Sequence, residues 1–157
     1  MAQRQAMGLR FDQRLFRDAL RDFASRVGPD IARQGTKKIS LDIVSTVVKS
    51  LNGAESGYPN PKRIDTGRYR AAWVATEGAL GAGSTVGVSS GDASASAQAS
   101  GLKYEISIAN NVEYGPYVEH GTAKMAPGLH LHTGLREGTR KVKQIVGALM
   151  KREMEGA

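Results

Sequence analysis

Asp65-Thr66-Gly67 is the first place where this chain could hold a reactive group. Two carboxylates in such tripeptides, contributed by two similar halves, share a proton and hydrolyse peptides. Here the tripeptide follows a proline-containing loop, Arg68 and Arg70 crowd it, and no second apolar strand supplies a partner carboxylate. The sequence therefore reads it as a polar cap with a tight turn at Gly67. A peptidase would instead lose its cleavage activity on Asp65→Asn. His130-Leu131-His132, with His120, has the spacing of a metal pair on a strand, but no cysteine or suitably spaced carboxylate completes a ligand set. The expectation is two exposed histidines at the start of a helix, and no metal. Gly78, Gly81, Gly83 and Gly87 lack the Gly-Lys-Ser/Thr and following helix that a phosphate cradle needs. The serines of 84–100 have no histidine beside them, so no nucleophile is poised. These absences lead to an expectation of no catalytic residue and no cofactor.

The elements that carry these residues follow from periodicity. Phe11, Leu15, Phe16, Ala19, Leu20, Phe23 and Val27 form a helical stripe, and the phenylalanines read as core side chains. Asp18 with Arg21, and Asp22 with Arg26, have helix-neighbour spacing. Gly28-Pro29 predicts a break, and a second helix is expected from about 30 to 51, with Ile31, Ile39, Ile43, Val47 and Leu51 in a four-step row. Asn52-Gly53 stops it, and Pro59 and Pro61 make 53–63 a loop. Residues 68–77, around Trp73-Val74, read as a first strand. Residues 81–101 hold little but Gly, Ala and Ser; Val86 and Val88 can pin a short strand, but Ser89–Gly101 has too little apolar area to order itself, and the segment reads as a long hairpin tip or flexible loop.

Residues 102–109 alternate, with Tyr104, Ile106 and Ile108 on one face and Lys103, Glu105 and Ser107 on the other. After the Asn110-Asn111 turn, 112–120 predicts a short helix with Tyr114, Tyr117 and Val118 toward the sheet, and 122–128 a loop. A last helix from about 131 is expected to bury Leu131, Leu135, Val142, Ile145, Val146 and Leu149. The chain thus reads as one α+β domain over 1–157: N-terminal helices, a small antiparallel sheet with a long hairpin loop at 81–101, and a C-terminal helix.

The 157 residues suffice for one core, with 40% hydrophobic and 24% charged side chains. No cysteine is present, so neither disulfides nor thiolates contribute. The formal charge is +7, and Lys and Arg gather toward both ends. That balance permits contact with nucleic acid, and a stand-alone basic DNA-binding module is one reading; acids such as Asp18 and Asp22 also make it a solvated helix face. No apolar run reaches the roughly 20 residues of a membrane span. The first residues lack the apolar core of a signal peptide, so a cytoplasmic product is expected.

Over 60–150 the order Thr66-Gly67-Arg68-Tyr69-Arg70, then Asn110-Asn111-Val112-Glu113-Tyr114-Gly115-Pro116-Tyr117-Val118-Glu119-His120-Gly121-Thr122, resembles the tail-completion, or head–tail joining, proteins of tailed bacteriophages. In that family the first segment opens the sheet, and the second is followed by a loop and a C-terminal helix. The chain departs from it at Gly115-Pro116, where a small residue such as Ala is usual, and at Leu129-His130-Leu131 before the last helix. The resemblance implies a structural virion protein of the neck, without enzymatic activity. It implies a homo-oligomeric ring, of about six copies, with DNA passing through the lumen. Its partners would be the head connector or stopper protein and the tail terminator or tail tube protein, with no membrane involved. Assembly would take place in the host cytoplasm. Tyr114, Tyr117, Glu119 and Thr122 would then stand at the subunit interface.

Overall fold

The computed structural model describes residues 13–62, 67–82, 87–90, 92–100 and 103–156. Asp65, Thr66 and Val86 lie outside the described residues, as do Phe11 and the side chains of Phe16 and Phe23. The chain begins with α1 (Gln13–Ser50), which passes through Pro29 without a break. The expected boundary at Gly28-Pro29 is therefore corrected. Proline removes one amide donor, but Gly28 before it has no Cβ to clash with the ring, so a single helical hydrogen bond is the local loss. The four-step row begins at Ile31, just after the proline, and Val47 near its end is fully buried in the core, so the helix beyond the defect is held by packing. The Asp22–Arg26 pair forms as its spacing predicts. Helix α1 ends before Gly53, whose φ of 63° turns the chain into a short 3₁₀ turn, Gly53–Ser56.

A helix, α2 (Gly67–Gly81), stands where a strand is expected over 68–77. Its buried residues, Tyr69, Ala72, Trp73, Thr76 and Leu80, recur at helical steps of three and four. That period overrides the local strand preference of Trp73-Val74. Next come β1 (Gly87–Ser90), β2 (Ala93–Ser100) and β3 (Lys103–Asn110), an antiparallel meander in the order β1-β2-β3. Gly87 pairs with Ser96, and Ser100 with Lys103. Val88 thus lies in a short strand, as expected, whereas 93–100 form a paired strand and not the expected unpaired loop. Ala93 and Ala95 are buried, and the backbone ladder to β3 supplies the ordering that their small side chains could not.

Strand β3 has the expected alternation, with Tyr104, Ile106 and Ile108 half-buried and Lys103, Glu105 and Ser107 exposed. A six-residue α3 (Gly115–His120) opens with Pro116 in its first turn, and α4 (His130–Glu155) completes the α+β fold. The core joins Val44 and Val47 of α1, and Leu51 just after it, to Tyr69, Trp73 and Leu80 of α2, closed by Ala93, Val112 and Val118. Tyr69 and Trp73 meet edge to face, with centroids 6.2 Å apart.

Helices α1 and α4 run antiparallel. Gly134 and Gly138 lie against Ile43 and Val47, while Gly35 of α1 faces Val146 and Leu149 farther along α4. A Cβ on Gly134 would stand 2.6 Å from Val47 Cγ2 and 2.8 Å from the Ile43 carbonyl oxygen. Gly147 has nothing within 4 Å. The two positions should therefore respond oppositely to alanine. Gly147→Ala should stabilise by about 0.5–1 kcal/mol through helix propensity. Gly134→Ala should destabilise by about 2 kcal/mol, because a backbone oxygen cannot step aside. Urea denaturation of the two variants measures both, and equal stabilisation by each would contradict this packing.

Candidate functional site

The 104–122 stretch and the start of α4 meet at one junction, built largely by side chains that bond to backbone. Asn110 ends β3 by accepting the Val112 amide on its own Oδ1, 3.1 Å, and donating Nδ2 to the Tyr69 carbonyl, 3.0 Å. The Asn111 amide donates to the Asp92 carbonyl at 2.8 Å. The turn is thereby tied to both α2 and the β1–β2 connection. Asp92 also accepts two 2.6 Å bonds from Arg68. That guanidinium holds the carboxyl below its ordinary range by hydrogen bonding.

Glu119 turns inward from α3. One carboxylate oxygen accepts the Tyr69 hydroxyl at 2.9 Å, and the carboxylate also accepts the Leu131 amide at 3.0–3.1 Å. It occupies the position of a cap at the α4 N-terminus, where orphan amides and the helix dipole favour a carboxylate. Leu129 adopts a left-handed φ of 52° to enter that helix. Asn60 Nδ2 donates to the Gly128 carbonyl at 2.8 Å and to Thr133 Oγ1 at 2.9 Å. Gly121, at φ 76°, packs against the backbone of 125–127, and Gly128 against the Val118 carbonyl, so the 121–129 loop folds back on α3.

His130 is fully buried, with Nδ1 3.0 Å from Ser50 Oγ. This corrects the expectation of two exposed histidines: His132 and His120 are exposed, but His130 faces inward, so the pair shares no face. Ser50 donates to the Val47 carbonyl at 2.8 Å, which leaves its oxygen to accept from Nδ1–H. Among the described residues no group of three or more His, Cys, Asp or Glu could hold a metal.

The four expected interface residues fall into two kinds. Tyr117 is 60% exposed, which corrects its expected orientation toward the sheet, and Thr122 is also exposed. Thr122 pairs with Met125 and accepts the Lys124 amide at 3.2 Å, so the chain closes a small turn here instead of reaching outward. Tyr114 is half-buried against the core, and Glu119 serves the junction. Beside them runs an apolar groove of about 470 Å³, walled by Ile43, Trp73, Ile106, Ile108, Leu131 and Leu135. Leu131 and Leu135 are 36% and 47% exposed, against the expectation that both are buried. Sequence reasoning missed this groove. The available signal was the Gly134–Gly138 spacing, which turns the glycine face to α1 and leaves the leucines on the flank.

Burial pushes the Tyr69 phenol above its ordinary value; the neighbouring Glu119 carboxylate adds to this and Trp73 partly offsets it. Folded Tyr69 therefore holds its proton more tightly than unfolded Tyr69. Its contribution to stability is complete below the unfolded value of about 10 and is lost as pH rises past it. Tyr69→Phe should cost about 1–2 kcal/mol at pH 8 by removing a hydrogen bond to a carboxylate. It should also flatten the decline in stability between about pH 9 and 11. Denaturant titrations of both proteins across that range test this, and parallel pH profiles would exclude Tyr69 as the group responsible.

Among the described residues, no helix is long and apolar enough to cross a membrane. Compared with protein-family models, with curated proteins and with solved structures, the chain matches none.

Proposed function

We propose that this chain is a structural protein of the bacteriophage neck, forming a ring that joins the DNA-filled head connector to the tail tube. The observation that carries the reading is the uncovered groove beside the 104–122 junction. Its walls are largely apolar, α3 borders it through Gly115, Pro116, Glu119 and His120, and no other described element of the chain fills it. Two of the polar groups at its rim are committed internally, Glu119 to Tyr69 and Leu131, and Asn110 to Tyr69 and Val112, while His120 stands exposed at its edge. Shape and apolar contact, as between subunits, are therefore the main means by which an occupant is recognised. A neighbouring copy suits this, because a ring needs a head-to-tail contact in which one surface receives a different surface of the next subunit.

On this reading the protein performs no reaction. It acts in the virion between the head connector or stopper and the tail terminator or tail tube, after assembly in the host cytoplasm. Genomic DNA crosses the ring.

Tyr117 and Leu135 are the residues to change, because both are exposed and neither supports the core. Leu135→Asp should shift monomer stability by no more than about 0.5 kcal/mol. Tyr117→Ala should cost about 2 kcal/mol per subunit contact if the ring is anchored there. In complementation of a phage lacking the protein, the double variant should give DNA-filled heads without tails, counted by negative stain. Normal tailed, infectious particles would overturn the proposal.

A further inference from the structure

The surface of α4 opposite its packed side carries a basic stripe. Arg136, Arg140, Lys143 and Lys151 succeed one another at steps of four, three and eight residues, which places them on one helical face with Gly147 between them. All five positions are exposed. Gly134, Gly138 and Ile145, on the other side of the helix, are buried. The stripe is therefore held in place by the α1 contact and not by its own side chains.

No carboxylate lies on the stripe. Glu137 and Glu155 flank it, and their pairs with Arg136 (3.2 Å), Arg140 (3.1 Å) and Lys151 (3.6 Å) are exposed. Exposed pairs of this kind contribute little and exchange readily for a stronger anion. Lys143 has no ion-pair partner among the described residues. Over the whole helix six basic residues stand against three acidic ones.

We infer that this outward face of α4 binds the phosphate backbone of duplex DNA without reading its sequence. From Arg136 to Lys151 the stripe runs about 22 Å at about 1.5 Å per residue. A single DNA strand passes roughly six phosphates in that distance, at about 3.4 Å of rise each. Exposed Gln144 and His132 border the stripe, one helical turn from Arg140 and Arg136, but they are single groups among four cations, so the contact is chiefly electrostatic. This inference deepens the neck reading and rests on it: the α4 stripe is the surface turned toward the DNA that crosses the ring.

The test uses the full-length protein and two unrelated 30-base-pair duplexes in fluorescence anisotropy, between 50 and 200 mM NaCl. Both duplexes should bind equally, and three to four phosphate contacts should weaken binding roughly 100-fold across that range. Arg140→Gln/Lys143→Gln/Lys151→Gln should weaken binding at least about tenfold at 50 mM and lower the salt slope by about 3. Lys38→Gln/Lys49→Gln/Lys103→Gln removes the same charge from exposed positions elsewhere and should leave the slope unchanged. Circular dichroism checks that both variants are folded. Absence of duplex binding at 50 mM, an equal loss in the second variant, or stronger binding to phosphatidylserine vesicles than to DNA would each overturn the inference. The neck reading stands or falls separately, on the particle counts for the Tyr117 and Leu135 variants.

Discussion

The close approach of α1 and α4 is the constraint on which the rest of the structure depends. Gly134 and Gly138 present bare backbone to Ile43 and Val47, so the helices meet where a methyl group would already collide. With the glycine face fixed on α1, every other face of α4 is fixed too. Leu131 and Leu135 lie about 60° round the helix from the glycines, at about 100° per residue. They become the wall of a groove instead of core. The same rotation turns Arg140 and Lys143 away from the body.

Polar groups hold what the apolar core cannot. The segments from 50 to 62 and from 119 to 133 share no strand ladder, yet Asn60, Ser50 and Glu119 bind the loop before α4 and the first turn of that helix from three sides. In a buried setting each bond matters less for its net strength than for the cost of leaving its partner unmade. A shift of one residue at the α4 start would orphan the Leu131 amide, the Gly128 carbonyl and Thr133 together. The junction is thereby confined to one register, and the groove inherits that definition.

Much of this fold was legible in local pattern, and the rest was not local. The alternation of Tyr104, Ile106 and Ile108 placed β3, and the row through Ile43, Val47 and Leu51 placed the core-bearing half of α1. Helix α2 runs against the strand preference of Trp73-Val74, while the spacing of Tyr69, Ala72, Thr76 and Leu80 carries the better signal. Strand β2 could not be read from its alanines and serines, because its order comes from pairing with β3. His130 looked like a surface residue; its burial depends on Ser50, eighty positions earlier in the chain. Of the interface candidates, Tyr117 lies at the surface. Glu119 is spent on the fold, a role visible only once Leu131 is known to begin a helix beneath it.

Helix α4 thus presents three faces with three chemistries: a bare backbone face against α1, an apolar flank along the groove, and a basic outer stripe. A ring built through the groove would place the neighbouring subunit beside α4 and leave the stripe uncovered, since the groove wall and the stripe occupy different sectors of the same helix. Subunit contact and DNA contact would then be physically coupled through one rigid element. Loosening the Gly134–Ile43 contact would disturb both, whereas changing an exposed side chain on either face would disturb only one. That asymmetry is what a helix fixed by backbone proximity allows: its two outer surfaces can be altered independently because neither of them holds it in place.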